Sequence, residues 1–457
     1  MYIALALLSS LVLPTIRALP QDTGELTRSG ISDKDLGKLA DDVSEFFLAI
    51  DADDRATKLE LEESLLSAFA KSGKRAKIDR DPMAYTGDWD YVLELSKPVD
   101  RSLKSDIGKG FFKHVFEDQY GTPPVSTALS IPASYGKEKD SRPPVIVVLK
   151  ETLGLEGNEL DSAVIEKATL LYGDLLETHI VLIPMGTVAG EGRRAETVET
   201  KDSWLAPDPK QVFFTGLRVL LEQLRFDRSR IVLDGWGSAG AEAIQFASFA
   251  PSWFAGVVSR GGELPGEDAP LSNLASMGVL LLQGDGSSDP GDAFEGLDVE
   301  IVPDAGSWEA PTDEASAKFV EWAAAQQRDL APSSIEFLAA DLAWGADNWC
   351  NIKVLNRRVT ASPSDKDFPR ISATIDAASN TIDIETVNIL ELKVFLNDDL
   401  VDLDKALTVK VNGEEKFSGV LKRSLSFLLE NRYYMESAEY GAYTASVLIE
   451  DIDANLP

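Results

Sequence analysis

IVLDGWGSAGAEAIQFASFAP, residues 231–251, changes its period halfway along. The first part is a continuous apolar run of strand length, as in a strand covered on both faces. The second part, from Ser238, has helical spacing and is stopped by Pro251. Between them lie Gly235, Gly237, Ala239 and Gly240, small residues that let a strand and the helix after it approach closely.

The same alternation extends in both directions. VIVVLK (145–150), HIVLIPM (179–185), FAGVVSRGG (254–262), MGVLLLQGDG (277–286) and VEIVPDAG (299–306) have strand-like apolar runs. Residues 162–177, 209–224 and 313–327 are amphipathic and predict helices between them. FFKHVF (111–116) and STALSIPASY (126–135) predict two earlier strands, and AGEGRRAETVETKDSW (189–204) a long Gly- and charge-rich loop. Apolar strands alternating with helices predict an α/β class, a mostly parallel sheet flanked by helices, over residues 106–330.

Two other textures flank this unit. Residues 20–105 are polar and predict a helical N-terminal region, with Ser32 as N-cap and Asp33 and Asp35 in the first turn. After Pro332 a short helical stretch is expected around Trp344 and Trp349. RISATIDA, TIDIET, ILELKVFL, LTVKVNGEEKFSG and YTASVLIEDI then alternate as short strands, with Asn412-Gly413 as a hairpin turn. Residues 331–457 therefore predict a β-rich C-terminal domain. Three such units suit 457 residues.

Composition narrows the function. Lys+Arg is 44 and Asp+Glu 76, a net charge of −32, which repels nucleic acid and anionic lipid. One cysteine, Cys350, excludes an intramolecular disulfide and a multi-cysteine zinc site. The apolar run 2–13, then Pro14 and Ala18, predicts a signal peptide over 1–18 and export to the periplasm or outside the cell, although it lacks a leading Lys or Arg. No later run approaches the ~18 residues of a membrane span.

The strand–turn–helix at 231–251 resembles the nucleophile elbow of the α/β-hydrolase superfamily, in its secreted esterase- or depolymerase-like members. RFDRSRIVLDG (225–235) resembles the lead-in to that elbow and PSWFAGVVSRGG (251–262) the segment after it. VLLLQGDGSSDP (279–290) resembles the acid-bearing turn, and VEIVPDAGSWE (299–309) the histidine-bearing segment. The likeness covers about residues 143–328. It implies the fold and a Ser–His–acid triad, and each triad position departs from it.

With Gly235 as the first glycine of G-x-S-x-G, the nucleophile position is Gly237, which has no side chain. Shifting by one makes Ser238 the nucleophile and Gly240 the second glycine, but puts Trp236 where a small residue is needed. The steric argument favours the first register, in which Ser238 supplies an oxyanion N–H. Counting from Gly284, the acid position is Ser287, with Asp285 and Asp289 nearby. Ser307-Trp308 stands where the resemblance implies histidine. The chain has two histidines: His179 precedes a strand, and His114 lies in an early one. A serine needs a base to take its proton. Glu151, after the third strand, would oppose a developing oxyanion.

Other signals are thinner. Asp51 to Glu62 superficially resembles a calcium loop but has Arg55, Ala56 and Lys58 at positions that disfavour one. Asp398, Asp399, Asp402 and Asp404 form an acidic cluster, a weak Ca²⁺ candidate or a solvated turn that protects an edge strand. Gly190 to Arg194 lacks phosphate-loop spacing. Trp236, Trp308, Trp344 and Trp349 line a groove or fill core, with Trp236 and Trp308 blocking the substrate's place.

The expectation is an exported α/β-hydrolase-like protein, catalytically inactive, with a binding or structural role toward an unknown ligand or polymer surface. The degenerate pocket is Glu151, Trp236, Gly237, Asp285, Ser287, Ser307 and Trp308. The alternatives are a serine hydrolase of the esterase or peptidase class using Ser238 with Asp289, and a calcium-assisted carbohydrate- or matrix-binding module. No cofactor is expected unless the acidic cluster takes Ca²⁺. No nucleic-acid partner or membrane span is expected, and no feature indicates an oligomeric state.

Overall fold

A computed structural model describes residues 26–453 except 79, 98–100, 117–122, 138–141, 191–194, 262–263, 285–286, 288, 341–344, 357–362, 365 and 435–440. The expected signal peptide, Asp285, Trp344 and residues 191–194 lie outside the described residues. No helix among those described is long and apolar enough to cross a membrane.

Helices α1 (Asp33–Asp51), α2 (Arg55–Ala76), α3 (Thr86–Ser96) and the short α4 (Arg101–Lys104) come first. Ser32 Oγ accepts from Asp35 N–H and caps α1. In the calcium-like stretch, Asp54 caps α2, accepting from Thr57 N–H at 3.1 Å, and Glu62 accepts from Ser426 Oγ.

Strands β1 (Phe111–Phe116), β2 (Val125–Ser130), β3 (Val145–Leu149), β4 (Ile180–Ala189), β5 (Glu196–Glu199), β6 (Ile231–Trp236), β7 (Gly256–Arg260), β8 (Gly278–Leu282) and β9 (Val299–Val302) form one sheet. Its order is β1-β2-β4-β3-β6-β7-β8-β9, with β5 paired to β4. β1, β2 and β5 run antiparallel to their neighbours, and the remaining pairs are parallel. Helices α5 (Gly157–Tyr172), α6 (Pro207–Gln223), α7 (Ala239–Phe249) and α8 (Asp313–Ala325) cover it.

The continuous apolar strands serve two faces. Val145, Val147, Leu149, Ile231 and Leu233 pack with residues of α6 and α7. Ile146, Val148 and Val232 pack with α5 and α8. A small hairpin, β10 (Gly306–Ser307) and β11 (Ala310–Pro311), lies between β9 and α8.

The region after α8 holds two sheets around one apolar core. One contains β12 (Ser334–Leu338), β15 (Arg370–Asp376), β16 (Thr381–Val387), β18 (Leu407–Val411) and β19 (Glu414–Gly419). The other contains β13 (Ala346–Asp347), β14 (Cys350–Leu355), β17 (Ile389–Leu396) and β20 (Ala445–Ile449). Asn412 and Gly413, with φ of 51° and 80°, turn between β18 and β19 as the Asn-Gly pair predicts. Helix α9 (Leu425–Tyr434) leaves this sandwich, and its Leu425, Leu428 and Leu429 join the apolar core of α1 to α3.

Two expectations are corrected. The loop at 189–204 is partly a hairpin: Ala189 pairs with Glu196 and Gly186 with Glu199, because Thr197 and Glu199 bury alternate side chains. The helical stretch expected after Pro332 with Trp344 and Trp349 is not helix among the described residues: Ser334–Leu338 is strand β12, whose Ile335 and Phe337 face the sandwich core with period two, and Trp349 lies in the turn between β13 and β14.

Candidate functional site

The bend between β6 and α7 is built by close approach. A Cβ on Gly235 would lie 2.6 Å from Ala239 O and 2.8 Å from Ala243 Cβ, and one on Gly240 would lie 2.3 Å from Ser259 Oγ. Gly237 stands between them with φ +55°, in the left-handed region that favours glycine. Its N–H donates to Arg260 O at 3.0 Å, and its carbonyl accepts from Gly240 N–H at 3.0 Å. Ser238 comes next with φ −61° and ψ −24°, as the cap of α7. Its side chain is exposed, and Ser238 Oγ makes no hydrogen bond among the described residues. The tip of the turn is therefore Gly237.

The room beside that tip is taken. A Cβ on Gly237 would lie 2.0 Å from Glu151 Oε2 and 2.8 Å from Trp308 Nε1. Glu151 comes from the loop after β3, and its Oε2 accepts from Ser238 N–H at 3.3 Å. The amide that the resemblance assigns to an oxyanion already faces a resident carboxylate.

A buried pair fixes this loop. Lys150 Nζ lies 2.5 Å from Glu199 Oε1, with both side chains fully buried. Glu199 also accepts from the N–H groups of Leu153 and Gly154, each at 2.7 Å. Burial alone would raise the Glu199 pKa, but Lys150 and these amides hold it below the ordinary value. Burial pushes Lys150 down despite Glu199.

Trp308 occupies the turn of the β10–β11 hairpin. Its ring stacks on Trp236 at 5.4 Å and 22°, and Lys167 Nζ lies 4.8 Å from its centroid. Lys167 also pairs with Glu309. Trp236 is fully buried and stacks on Tyr172 at 6.2 Å. Its Nε1–H donates to Tyr172 OH, and Tyr172 OH donates to Asp234 Oδ2, each at 2.8 Å. Arg260 Nε donates to Asp234 at 2.8 and 2.9 Å, and its guanidinium lies 4.1 Å from the Phe319 ring centroid. Burial raises the Asp234 pKa against the pull of Arg260, and with Asp234 raises that of Tyr172 well above its ordinary value. The sequence reading missed Asp234, Tyr172, Arg260, Lys150 and Glu199. The available signal was charge inside apolar strands, at Asp234 in IVLDGW and Lys150 after VIVVL.

The remaining positions serve their own turns. Ser287 Oγ accepts from Gly284 N–H at 2.9 Å, Asp289 Oδ1 from Gly291 N–H at 3.0 Å, and Ser307 Oγ from Ala310 N–H at 3.1 Å. Asp289 is exposed and is not hydrogen-bonded to Ser238. Glu151, Trp236, Gly237, Ser238 and Trp308 are thus brought together, and Asp289 is not joined to them.

Neither imidazole reaches the bend. The ring of His114, in β1, packs at 4.3 Å on Phe116. His179 sits just before β4, level with the residue preceding β6, because Val145 of β3 pairs with both Ile180 and Ile231. Gly237 lies at the opposite edge of the sheet, roughly 20 Å along the strand direction at ~3.3 Å per residue. A ring nitrogen of His179 lies 2.8 Å from Thr178 Oγ1, and burial and Arg230 lower its pKa to about 4.

The acidic cluster is occupied by arginine. Asp398 accepts from Arg423 Nε at 2.8 Å, Arg423 Nη2 at 2.6 Å and Arg80 Nη2 at 2.8 Å. Asp404 accepts from Arg423 Nη1 at 2.7 Å. Asp399 accepts from Thr27 and Thr86, and Asp402 pairs with Lys405 at 2.8 Å. The cluster ties the sandwich to the N-terminal helices. Trp349 is buried in the sandwich and donates to Pro332 O at 2.8 Å, so it lines no groove at the bend.

The sheet order, with an antiparallel second strand, a strand–glycine turn–helix at its centre and helices on both faces, is that of the α/β-hydrolase fold. No family model matches the chain. Over 98 residues it is 35% identical to a protein described as putative esterase NocK from Nocardia uniformis subsp. tsuyamanensis, covering 20% of this chain and 27% of that protein. The chain thus spans about a quarter of that curated relative. Among solved structures it is similar to a thermostable esterase (17% identity, TM-score 0.38, 49% of this chain and 64% of that one). It is also similar to an S-formylglutathione hydrolase from Agrobacterium tumefaciens (16%, TM-score 0.32, 48% and 96%) and to the Bacillus cereus carboxylesterase (17%, TM-score 0.30, 44% and 93%).

Proposed function

We propose that this chain is an exported α/β-hydrolase-fold protein that performs no acyl transfer and acts through binding or as a structural component. The observation that carries this reading is the bend itself: glycine at its tip, with Glu151 and Trp308 in the space a nucleophile's side chain would need. Acyl transfer needs a nucleophile, a base within hydrogen-bond reach and donors aimed at the oxyanion. Gly237 supplies no attacking atom. Both histidines lie away from Ser238, and Glu151 sets negative charge against the Ser238 amide. The apolar run 2–13 supports export.

A serine hydrolase using Ser238 is the competing reading. It draws on the exposed Ser238 hydroxyl and on the likeness to a putative esterase. Hydrolysis of short acyl p-nitrophenyl esters separates the two. The expected result is no turnover above buffer, unchanged by Ser238→Ala. Steady hydrolysis abolished by Ser238→Ala overturns the proposal and establishes the hydrolase.

A further inference from the structure

The sandwich turns a strand edge toward the hydrolase-like unit, and one rung of that edge is already paired. β12 bonds to β15 through alternate residues: Ser333 O accepts from Ile375 N–H at 2.8 Å and Ala339 N–H donates to Pro369 O at 2.9 Å, with Ile335 opposite Ala373 and Phe337 opposite Ile371 between them. In an antiparallel ladder the intervening residues turn their N–H and C=O the other way, so Ser334, Glu336 and Leu338 address the free edge. Leu338 has a partner there. Asn273, on the turn Leu271–Ser276 of the hydrolase-like unit, accepts from Leu338 N–H through Oδ1 and donates to Leu338 O through Nδ2, each at 2.9 Å. Its carboxamide does what a residue of a neighbouring strand does. Asn273 is 3% exposed, and its Nδ2 also donates to Ser248 O at 2.8 Å, which holds the rung in place.

The next rungs are open. Among the described residues nothing pairs with the free-edge N–H and C=O of Glu336 and Ser334. Ser334, Ile335 and Glu336 line a cleft of about 240 Å³, with Pro251, Phe254 and Ser276 of the hydrolase-like unit across from them. Asn273 lines the same cleft, so the paired rung and the open ones border one space. Proteins blunt a bare strand edge with charge, proline or cover. Here one side chain starts a second strand and the space beside it has room for main chain but not for a folded element.

Charge selects the side chains of the occupant. Asp329, Glu336 and Asp347 line the cleft, and among the described residues Arg328 is the cation that lines it with them. Asp347 is 5% exposed and accepts from Asn348 Nδ2 at 3.0 Å. Burial pushes its pKa up to about 7 against the pull of Asn348 and Arg328, so its present partners do not offset the loss of water. A carboxylate in that condition gains from a further cationic donor. On a chain of net charge −32 the same surplus turns an acidic segment away.

We propose that the free edge of β12 takes an extended, basic peptide segment of a partner protein as an added strand. The segment's main chain exchanges hydrogen bonds with Glu336 and Ser334, continuing the ladder that Asn273 begins, and its lysine or arginine side chains meet the carboxylates of the cleft. The site uses no atom of the β6–α7 bend, so it stands whether or not Ser238 supports hydrolysis.

Fluorescence anisotropy with the full chain tests this, using a labelled short peptide of alternating valine and lysine. Saturable binding is expected. The same peptide with glutamate for lysine, and the lysine peptide with its backbone nitrogens methylated, which keeps the charge and removes the donors, are each expected to bind about tenfold weaker. Ser334→Pro removes one open N–H without touching the bonds to β15 and weakens the lysine peptide several-fold. Glu336→Lys, at an exposed position, does the same through charge and needs no change of backbone. Glu414→Gln, an exposed carboxylate on β19 at the opposite edge of that sheet, leaves binding unchanged. Circular dichroism checks that each variant is folded, and hydrogen–deuterium exchange over residues 333–338 is expected to slow when the lysine peptide is bound. Failure of the lysine peptide to saturate, equal binding of the glutamate or the methylated peptide, unchanged exchange over 333–338, or equal weakening by Glu414→Gln overturns the proposal.

Discussion

Replacing Gly237 by alanine puts a methyl group where Glu151 and Trp308 already stand. The new Cβ would lie 2.0 Å from Glu151 Oε2, 2.7 Å from Glu151 Cδ and 2.8 Å from Trp308 Nε1. The carboxylate must retreat by roughly 1.5 Å to reach ordinary contact near 3.5 Å, giving up its hydrogen bond from Ser238 N–H, worth about 1 kcal/mol. A non-glycine residue at φ +55° adds about 1–2 kcal/mol, and crowding of Trp308 about 1 more. Gly237→Ala is expected to destabilise the hydrolase-like unit by about 3–4 kcal/mol. In a Glu151→Ala background the carboxylate is gone, and the same substitution costs only about 2–3 kcal/mol. The coupling between the two sites is therefore about 1 kcal/mol. Chemical denaturation followed by tryptophan fluorescence measures it, with Trp236 and Trp308 as local reporters. Strict additivity, or a Gly237→Ala variant within about 0.5 kcal/mol of the parent, refutes the packing argument.

Other parts of the molecule respond to pH and to charge removal. His179 has a folded-state pKa of about 4 against 6.5 when unfolded, so between those values the unfolded chain takes up a proton that the fold does not. Stability rises with pH across that window and falls as pH drops from 6.5 to 4, by up to about 3 kcal/mol. His179→Gln removes this slope, and an unchanged slope in denaturation series at pH 4, 5, 6 and 7 refutes the assignment. At the acidic cluster, Arg423→Ala strips Asp398 of its bidentate partner and is expected to cost about 3 kcal/mol, or roughly 5–10 °C in Tm. Because arginines already neutralise those carboxylates, millimolar Ca²⁺ is expected to leave the Tm of the parent unchanged, and a calcium-dependent rise refutes this.

Much of the architecture was legible because parallel strands buried on both faces cannot alternate. VIVVL, IVLDGW and GVLLL are apolar throughout, and the helices between them keep one polar side. At the bend the sequence offered two registers, and the bulk of Trp236 weighed against the one with Ser238 at the tip; the structure has Gly237 at φ +55° there, with Gly235 and Gly240 where a Cβ meets backbone or a packed side chain. Strand β5 was hidden, because ETVE is short and mixes exposed and buried positions beside many charges. β12 was missed, and a helical stretch expected after Pro332 instead, because SIEFL is too short for its period to declare itself. The mate of helix α9 was out of reach: its apolar face meets α1 to α3, more than three hundred residues earlier, and no local pattern encodes a contact at that separation. For the same reason the sequence showed Glu151 as an awkward charge near the site but not that it would rest on the Ser238 amide.

The packing at the bend also bears on how such a protein changes over generations. Gly237, Glu151 and Trp308 come from three separate loops and share one small volume. A serine at 237 collides with the other two, a histidine at 308 removes the indole stacked on Trp236, and a residue without a carboxylate at 151 leaves the Ser238 N–H without its partner. Any single change of this kind lands on a less stable molecule. Under the proposed function the three positions act as a ratchet, and gaining acyl transfer at this bend requires several coordinated changes at once.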